Sequence, residues 1–161
     1  MVSDIALPIH DRAAFLKATG EGTHLMHPLR KLREAGPPTP EQAAVILAEN
    51  VVMHSPVLIK PIIGRELVAI TLSNSSHSRD DPGKYVFEGK FDERSTLLRW
   101  QGTVEGHKIE SLELLTDDEN GLLLERTVAY RPFPALKIFR DRLMALNAGR
   151  LPADMWEYPT R

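Results

Sequence analysis

Two charged residues, Glu113 and Arg126, fall where the surrounding pattern asks for apolar side chains. Each belongs to a β-rich stretch, 108–116 and 122–131, in which alternate residues share a face. With turns at Glu105-Gly106 and around 118–121, one face collects Leu98, Trp100, Gly102 and Val104 from a preceding stretch, 95–105. The same face takes Ile109, Ser111, Glu113 and Leu115, then Leu122, Leu124, Arg126, Val128 and Tyr130. Glu113 and Arg126 are its only charges, and they fall roughly opposite each other on neighbouring strands, within pairing distance. A lone charge buried there would cost several kcal/mol. The two therefore pair to fix the strand register, or they line a wet cavity where a carboxylate can orient a ligand or move a proton. A guanidinium beside it favours the charged carboxylate, which works against a strong base near neutral pH.

Other residues offer less. His54 ends an apolar strand just before Ser55-Pro56, and reads as a hydrogen-bonded structural histidine or as a ligand or base. His24 and His27 are three apart, but no third ligand lies near them, so no metal site is expected. The run Asp117-Asp118-Glu119-Asn120-Gly121 lacks the length and spacing of a calcium loop and reads as a hairpin turn. His77 and His107 fall in expected loops. The chain has no cysteine, which excludes disulfides, thiolate metal sites and a cysteine nucleophile. No glycine-rich phosphate loop, dinucleotide fingerprint, nucleophile elbow or HExxH occurs, and no cofactor is expected.

The elements that must carry these residues change character along the chain. Asp11 can cap a short helix bearing Ala14, Phe15 and Leu16, and residues 20–26 interrupt it. Pro28-Leu29-Arg30-Lys31-Leu32 reads as another short helix, stopped by Gly36-Pro37-Pro38. Thr39-Pro40-Glu41-Gln42 starts a helix expected to run to about Glu49. Val51-Val52-Met53-His54 is a strand, 64–72 is read as a helix and 73–83 as a polar loop. Strands are expected over 84–91, 95–105, 108–116 and 122–131, joined by links short enough for antiparallel hairpins. A terminal helix from Phe133 to about Asn147 carries Leu136, Phe139, Leu143 and Leu146 at helical spacing. Helices, a strand meander and a closing helix together indicate an α+β fold. The opposite sheet face is polar apart from Leu112, Leu114, Leu123 and Ala129, a patch of the kind that marks a partner surface.

The bulk numbers agree with one ordinary folded domain: 161 residues, 42% hydrophobic and 26% charged. Twenty basic against 22 acidic side chains give a formal charge of -2, and no basic stripe is visible, so nucleic acid is not an expected partner. No apolar run nears the ~20 residues that cross a bilayer, and the first residues do not read as a secretory signal. A cytoplasmic protein with no membrane partner is expected.

The chain resembles the nuclear transport factor 2-like superfamily, especially its SnoaL-like branch. The resemblance rests on Val51-Val52-Met53-His54-Ser55-Pro56 followed by Pro61 and Gly64-Arg65-Glu66, continues through 109–115 and 118–121, and ends with Val128-Ala129-Tyr130-Arg131-Pro132. It covers about 40–147, which makes 1–161 a single domain with 1–39 as a helical extension or lid. It implies a curved antiparallel sheet wrapped around helices, a cone with an apolar pocket, and commonly a homodimer through the outer sheet face. Members include ketosteroid isomerases, polyketide cyclases, epoxide hydrolases, dehydratases and binding proteins without a reaction. Related sequences often carry Asp where this chain has Glu113, one methylene longer. The resemblance makes Glu113 the base or orienting group and Arg126 its partner, with His54, Trp100, Ser111, Val128 and Tyr130 as ligand contacts. The expected function is binding of a hydrophobic small molecule, with or without cofactor-independent isomerase, cyclase or hydrolase chemistry. The alternative is a non-catalytic ligand-binding or dimerisation module whose polar pair only holds the sheet.

Overall fold

A computed structural model of the chain describes residues 26–160. The helix expected after Asp11, and His24, lie outside the described residues. The element order is α1 (Pro28–Glu34), α2 (Pro40–Ala44), β1 (Leu47–His54), β2 (Ile62–Ile63), α3 (Arg65–His77), β3 (Lys84–Lys90), β4 (Ser95–Val104), β5 (His107–Asp117), β6 (Leu123–Arg131) and α4 (Phe133–Leu146), followed by a 3₁₀ turn at Ala153–Met155. The strands form one open sheet in the order β2-β1-β6-β5-β4-β3. All pairs are antiparallel except β1 with β6, which run parallel. The architecture is α+β, and the sheet is mixed rather than wholly antiparallel because β1 enters beside the last strand.

The β4–β5 hairpin sets the frame. Ten consecutive residue pairs run unbroken from Ser95 opposite Thr116 to Val104 opposite His107. Its two-residue turn puts Glu105 at φ 49° and Gly106 at φ 73°, the left-handed pair that matches strand twist. Along β4 the fully covered residues are Thr96, Leu98, Trp100 and Val104, so Trp100 faces the helices as the alternation requires. Its Nε1 donates to the Pro82 carbonyl at 2.8 Å. A Cβ on Gly102 would stand 2.2 Å from the indole, so only glycine lets the ring lie flat across the strand there.

On β5 the buried set is Ile109, Ser111, Glu113 and Leu115, again as the alternation requires. On β6, Arg126 and Val128 are buried, but so is Leu123, which was expected outside. A register shift between Thr116 and Asp117 explains the difference, since one extra residue on a strand turns the following side chains to the other face. Asp118 closes that hairpin through its Oδ1, which accepts from the amides of Asn120 and Leu122 at 2.8 and 2.9 Å, confirming the acidic run as a turn.

Two helix boundaries differ from expectation. Thr39 and Gln42 form the expected capping box, yet α2 ends at Ala44 rather than Glu49. Leu47 and Ala48 join β1 instead, buried beside Leu123, whose amide donates to the Ile46 carbonyl at 2.9 Å. Sheet pairing outweighs helical spacing there. In the other direction, α3 continues through the serines expected to begin a loop. Ser75 and Ser76 are buried and return their hydroxyls to the Leu72 carbonyl at 2.9 and 3.2 Å, so their polar atoms are satisfied within the helix. The core lies between the concave sheet face, carrying Leu98, Trp100 and Leu115, and Val68, Leu72, Phe139 and Leu143 of α3 and α4.

Candidate functional site

Glu113 sits at the centre of the concave face with its side chain 1% exposed. Register places it opposite Val128 and places Arg126 opposite Leu115, so the two charges meet diagonally across β5 and β6. Arg126 Nε and Nη2 both donate to Glu113 Oε2, at 3.0 and 2.8 Å. Arg126 Nη1 points to Met53 Sδ at 3.2 Å, which ties the pair to β1. The other carboxylate oxygen, Oε1, accepts from the Ser111 hydroxyl at 3.1 Å and from the Tyr85 hydroxyl at 3.5 Å.

A second guanidinium closes the cluster from above. Leu29 and Arg33 are four apart on α1 and share the face turned into the protein, where both are buried. Arg33 Nη1 lies 3.9 Å from Glu113 Oε1, and Nη2 donates to Ser75 Oγ at 3.3 Å. α1 is held in place by His27, its N-cap. His27 Nδ1 accepts from the Leu29 amide at 3.1 Å, its ring Nε2 meets Asp117 at 3.1 Å, and its own amide donates to Glu88 at 2.8 Å. Because Nδ1 accepts, the ring proton sits on Nε2 and is donated to Asp117. His27 is therefore a helix cap.

Electrostatics follow from this packing. Burial pushes the Glu113 carboxyl up, but the charges of Arg126 and Arg33 and the bonds from Arg126 and Ser111 outweigh it, and the carboxyl is held below the usual Glu range. Burial pushes the Tyr85 phenol up, and the Glu113 charge adds to it. Burial likewise raises Tyr130. Around neutral pH the cluster is thus a carboxylate, two guanidiniums and two neutral phenols.

Of the residues singled out in the sequence, the structure brings together Glu113, Arg126 and Ser111, with Tyr130 close enough to feel the charges of Arg33, Glu113 and Arg126. Tyr130 also stacks at 5.1 Å on Phe139. Trp100 and Val128 share the concave face. His54 does not join them. It lies on the outer side of β1, with its Nε2 at 3.0 Å from Glu125 and its side chain 43% exposed. One residue along the strand, Met53 faces inward instead, which is what a period of two dictates. Sequence reading missed Arg33 and Tyr85. Arg33 had a signal, its four-residue spacing from Leu29 on a short helix, whereas Tyr85 is reached only through the β3–β4 register.

Glu113, Arg126 and Arg33 are buried and line neither of two large surface cavities. One, about 1030 Å³, lies between α2, β2 and α3 beside Arg65 and Arg150. The other, about 640 Å³, lies at the end of the β4–β5 hairpin beside Gly102 and Lys108. Tyr85, by contrast, edges a cavity of about 430 Å³ beside Arg30 and Glu88, and Ser111 and Tyr130 edge one of about 300 Å³ beside Arg99 and Leu112. Among the described residues no group of three or more His, Asp or Glu side chains could hold a metal ion, and no helix is long and apolar enough to cross a membrane.

No protein-family model matches the chain, and no curated protein matches it by sequence. Solved structures do. A bacterial protein with a cystatin-like fold from Silicibacter pomeroyi superposes with a TM-score of 0.68 at 23% identity, covering 78% of this chain and 89% of that one. A steroid delta-isomerase from Pseudomonas aeruginosa gives a TM-score of 0.65 at 21% identity, over 74% of this chain and 83% of that one. A Mycobacterium tuberculosis protein in complex with estradiol-17beta-hemisuccinate gives 0.50 at 12% identity, over 68% and 91%. The chain therefore has the nuclear transport factor 2-like fold. At such identities the likeness is one of fold, and fold alone does not assign a reaction.

Proposed function

We propose that this protein binds a hydrophobic small molecule on the concave face of its sheet, beneath α1, and holds it without acid–base turnover. The observation that carries the reading is the size of the buried polar cluster. Fixing strand register needs one ion pair, yet Glu113 gathers Arg126 and Ser111 by hydrogen bonds, Tyr85 at the edge of that range, and Arg33 within ion-pair distance. These groups come from three strands and a helix, on a wall otherwise built of Leu, Val and Trp. A few convergent polar groups on an apolar wall is the composition of a ligand site. The solved neighbours, a steroid delta-isomerase and a protein bound to a steroid ester, support an apolar ring compound as the class of ligand.

Glu113 is assigned an orienting role. A general base works best with a pKa near the operating pH, and two cations hold this carboxyl on the other side of its ordinary value. Its complete cover also keeps it from a substrate proton unless α1 lifts. α1 is seven residues long, and entry beneath it requires displacing Leu29, Leu32, Arg33, the Arg30–Glu88 ion pair and the His27 contacts. Equilibrium titration with phenylnaphthylamine, a neutral apolar fluorophore, tests the reading. Saturable binding that is lost on Val128→Arg supports it. Absence of binding, with nothing co-purifying under native mass spectrometry, overturns it.

The outer sheet face is assigned to a second copy of the chain. Leu112 and Leu114 stand 50% and 44% exposed there beside Ala129, and a two-fold axis would set each patch on itself. Leu123 is not part of that patch, because it is buried.

A further inference from the structure

Three guanidiniums, those of Arg33, Arg79 and Arg126, are buried in the described residues, against one buried carboxylate, Glu113. Arg126 takes most of that carboxylate. The other two meet at Ser75 of α3. Arg33 Nη2 donates to Ser75 Oγ at 3.3 Å, and Arg79 Nε donates to the Ser75 carbonyl at 3.4 Å. Arg79 Nη2 reaches Ser76 Oγ at 3.3 Å, and its guanidinium carbon lies 4.3 Å above the Trp100 ring. Three of their nitrogens, Arg33 Nε, Arg33 Nη1 and Arg79 Nη1, are buried with no hydrogen-bond partner among the described residues. Buried donors are normally satisfied, and buried cations are normally paired. A guanidinium fork presents its donors in the geometry of an oxyanion.

We propose that Arg33 and Arg79 form an anion subsite that takes the carboxylate, sulfonate or phosphate end of an amphiphilic ligand, while its apolar body lies against Trp100 and the concave face. This rests on the ligand-binding reading above and narrows it to anionic amphiphiles. The anion would bring the buried charge closer to balance and give the three free nitrogens acceptors. Glu113 then has a second use. By engaging Arg126 it leaves Arg33 and Arg79 as the receptive cations, and by repelling anions it directs the acidic end toward α3.

Three probes separate the possibilities. Anilinonaphthalene sulfonate carries an apolar body with an anion, phenylnaphthylamine carries the same body without it, and inorganic sulfate carries the anion alone. The sulfonate is expected to bind at least about ten-fold more tightly than the neutral amine, the worth of one to two charge-assisted hydrogen bonds. Arg33→Met and Arg79→Met should each abolish most of that preference, read as the ratio of the two dyes' affinities within each variant. Added sulfate should displace the sulfonate probe and spare the neutral one. Circular dichroism melts confirm that each variant is folded, and Arg33→Lys, which keeps the charge but loses the fork, provides a milder replacement. Equal affinity of the two dyes for the native protein, which needs no variant, overturns the subsite and leaves the ligand-binding reading standing. A preference that survives both Met variants overturns it as well. Failure of both dyes to bind overturns the two readings together.

Discussion

Glu113→Gln changes one oxygen for an amide and almost no volume, so its effect reads the charge cluster rather than packing. In the native protein Oε2 receives two donors from Arg126, and Oε1 receives the Ser111 hydroxyl, all with the carboxylate 1% exposed. A glutamine can accept at one end only. If its oxygen faces Arg126, its NH₂ confronts Ser111, Tyr85 and Arg33. If it turns over, it confronts Arg126. In either orientation two buried guanidiniums lose their only buried anion. Breaking a buried, hydrogen-bonded pair on one side costs about 3–5 kcal/mol. For a chain of this size each kcal/mol moves the midpoint by about 2–4 °C, so a loss of about 6–20 °C in Tm is expected. The complementary change has a different size. Arg33 makes one direct side-chain hydrogen bond, to Ser75, and is the surplus cation, so Arg33→Met should cost far less than Glu113→Gln and can raise Tm. Combining Glu113→Gln with Arg126→Met should recover stability relative to the sum of the single changes, by roughly 0.5–3 kcal/mol of coupling.

Urea and thermal unfolding of the native protein and these variants supply the numbers, and the pH dependence supplies the sign. The Glu113 carboxyl titrates lower in the folded chain than in the unfolded one. Its contribution is therefore complete above the unfolded value, about 4.3, and is lost as pH falls through the lower folded value. The gap between native and Glu113→Gln should be constant from pH 7 to about 5 and shrink only in stronger acid. A Tm unchanged by Glu113→Gln, or a gap that closes between pH 7 and 5, would refute a carboxylate sealed between two cations.

Further expectations are simpler. Gly102→Ala sets a Cβ 2.2 Å from the Trp100 ring, so it should destabilise by about 1–3 kcal/mol and shift tryptophan fluorescence; a silent substitution would mean the indole does not cross that strand. Leu114→Glu should convert a dimer to a monomer in sedimentation velocity without lowering the monomer's intrinsic stability, and a native protein that sediments as a monomer at micromolar concentration removes the outer-face interface. His27→Ala deletes the cap of α1 and should cost about 0.5–2 kcal/mol. It should also speed phenylnaphthylamine entry in stopped flow; an unchanged entry rate would mean that α1 does not gate the concave face.

How far the sequence reaches depends on the range of the interaction that decides each feature. The β4–β5 hairpin was legible because it is local: strict alternation and a left-handed Glu105-Gly106 turn fix both faces, and Trp100, Ser111 and Glu113 follow. The Glu113–Arg126 meeting was legible one step further out, since its misfit with an apolar face was visible and the turn at 118–121 set the approximate register. The bulge at Thr116–Asp117 was not legible, and it turned Leu123 inward relative to the simple pattern. The early end of α2 and the late end of α3 depend on partners far along the chain, Leu123 for the first and the buried Arg33 for the second. His54 was misplaced for a plainer reason. Its apolar neighbours marked a strand but did not say which parity faced inward, and Met53 takes the inner position.

The residues that reshape the functional reading are those the sequence left out. Glu113 and Arg126 alone would be a neutral pair, equally at home as a register pin or as the polar spot of a catalytic pocket. Adding Arg33 changes the balance, because a carboxylate between two guanidiniums is a poor proton acceptor and a good spacer of cations. Adding Arg79 changes it again, because the concave face then carries more positive charge than its own side chains neutralise. A carboxyl works best as a general base when its pKa lies near the operating pH, which apolar cover favours and nearby cations oppose. This chain supplies the cover and brings the cations in. On the proposed reading, the arrangement that disfavours proton abstraction would instead retain an acidic, largely apolar molecule, whose charged end would meet Arg33 and Arg79.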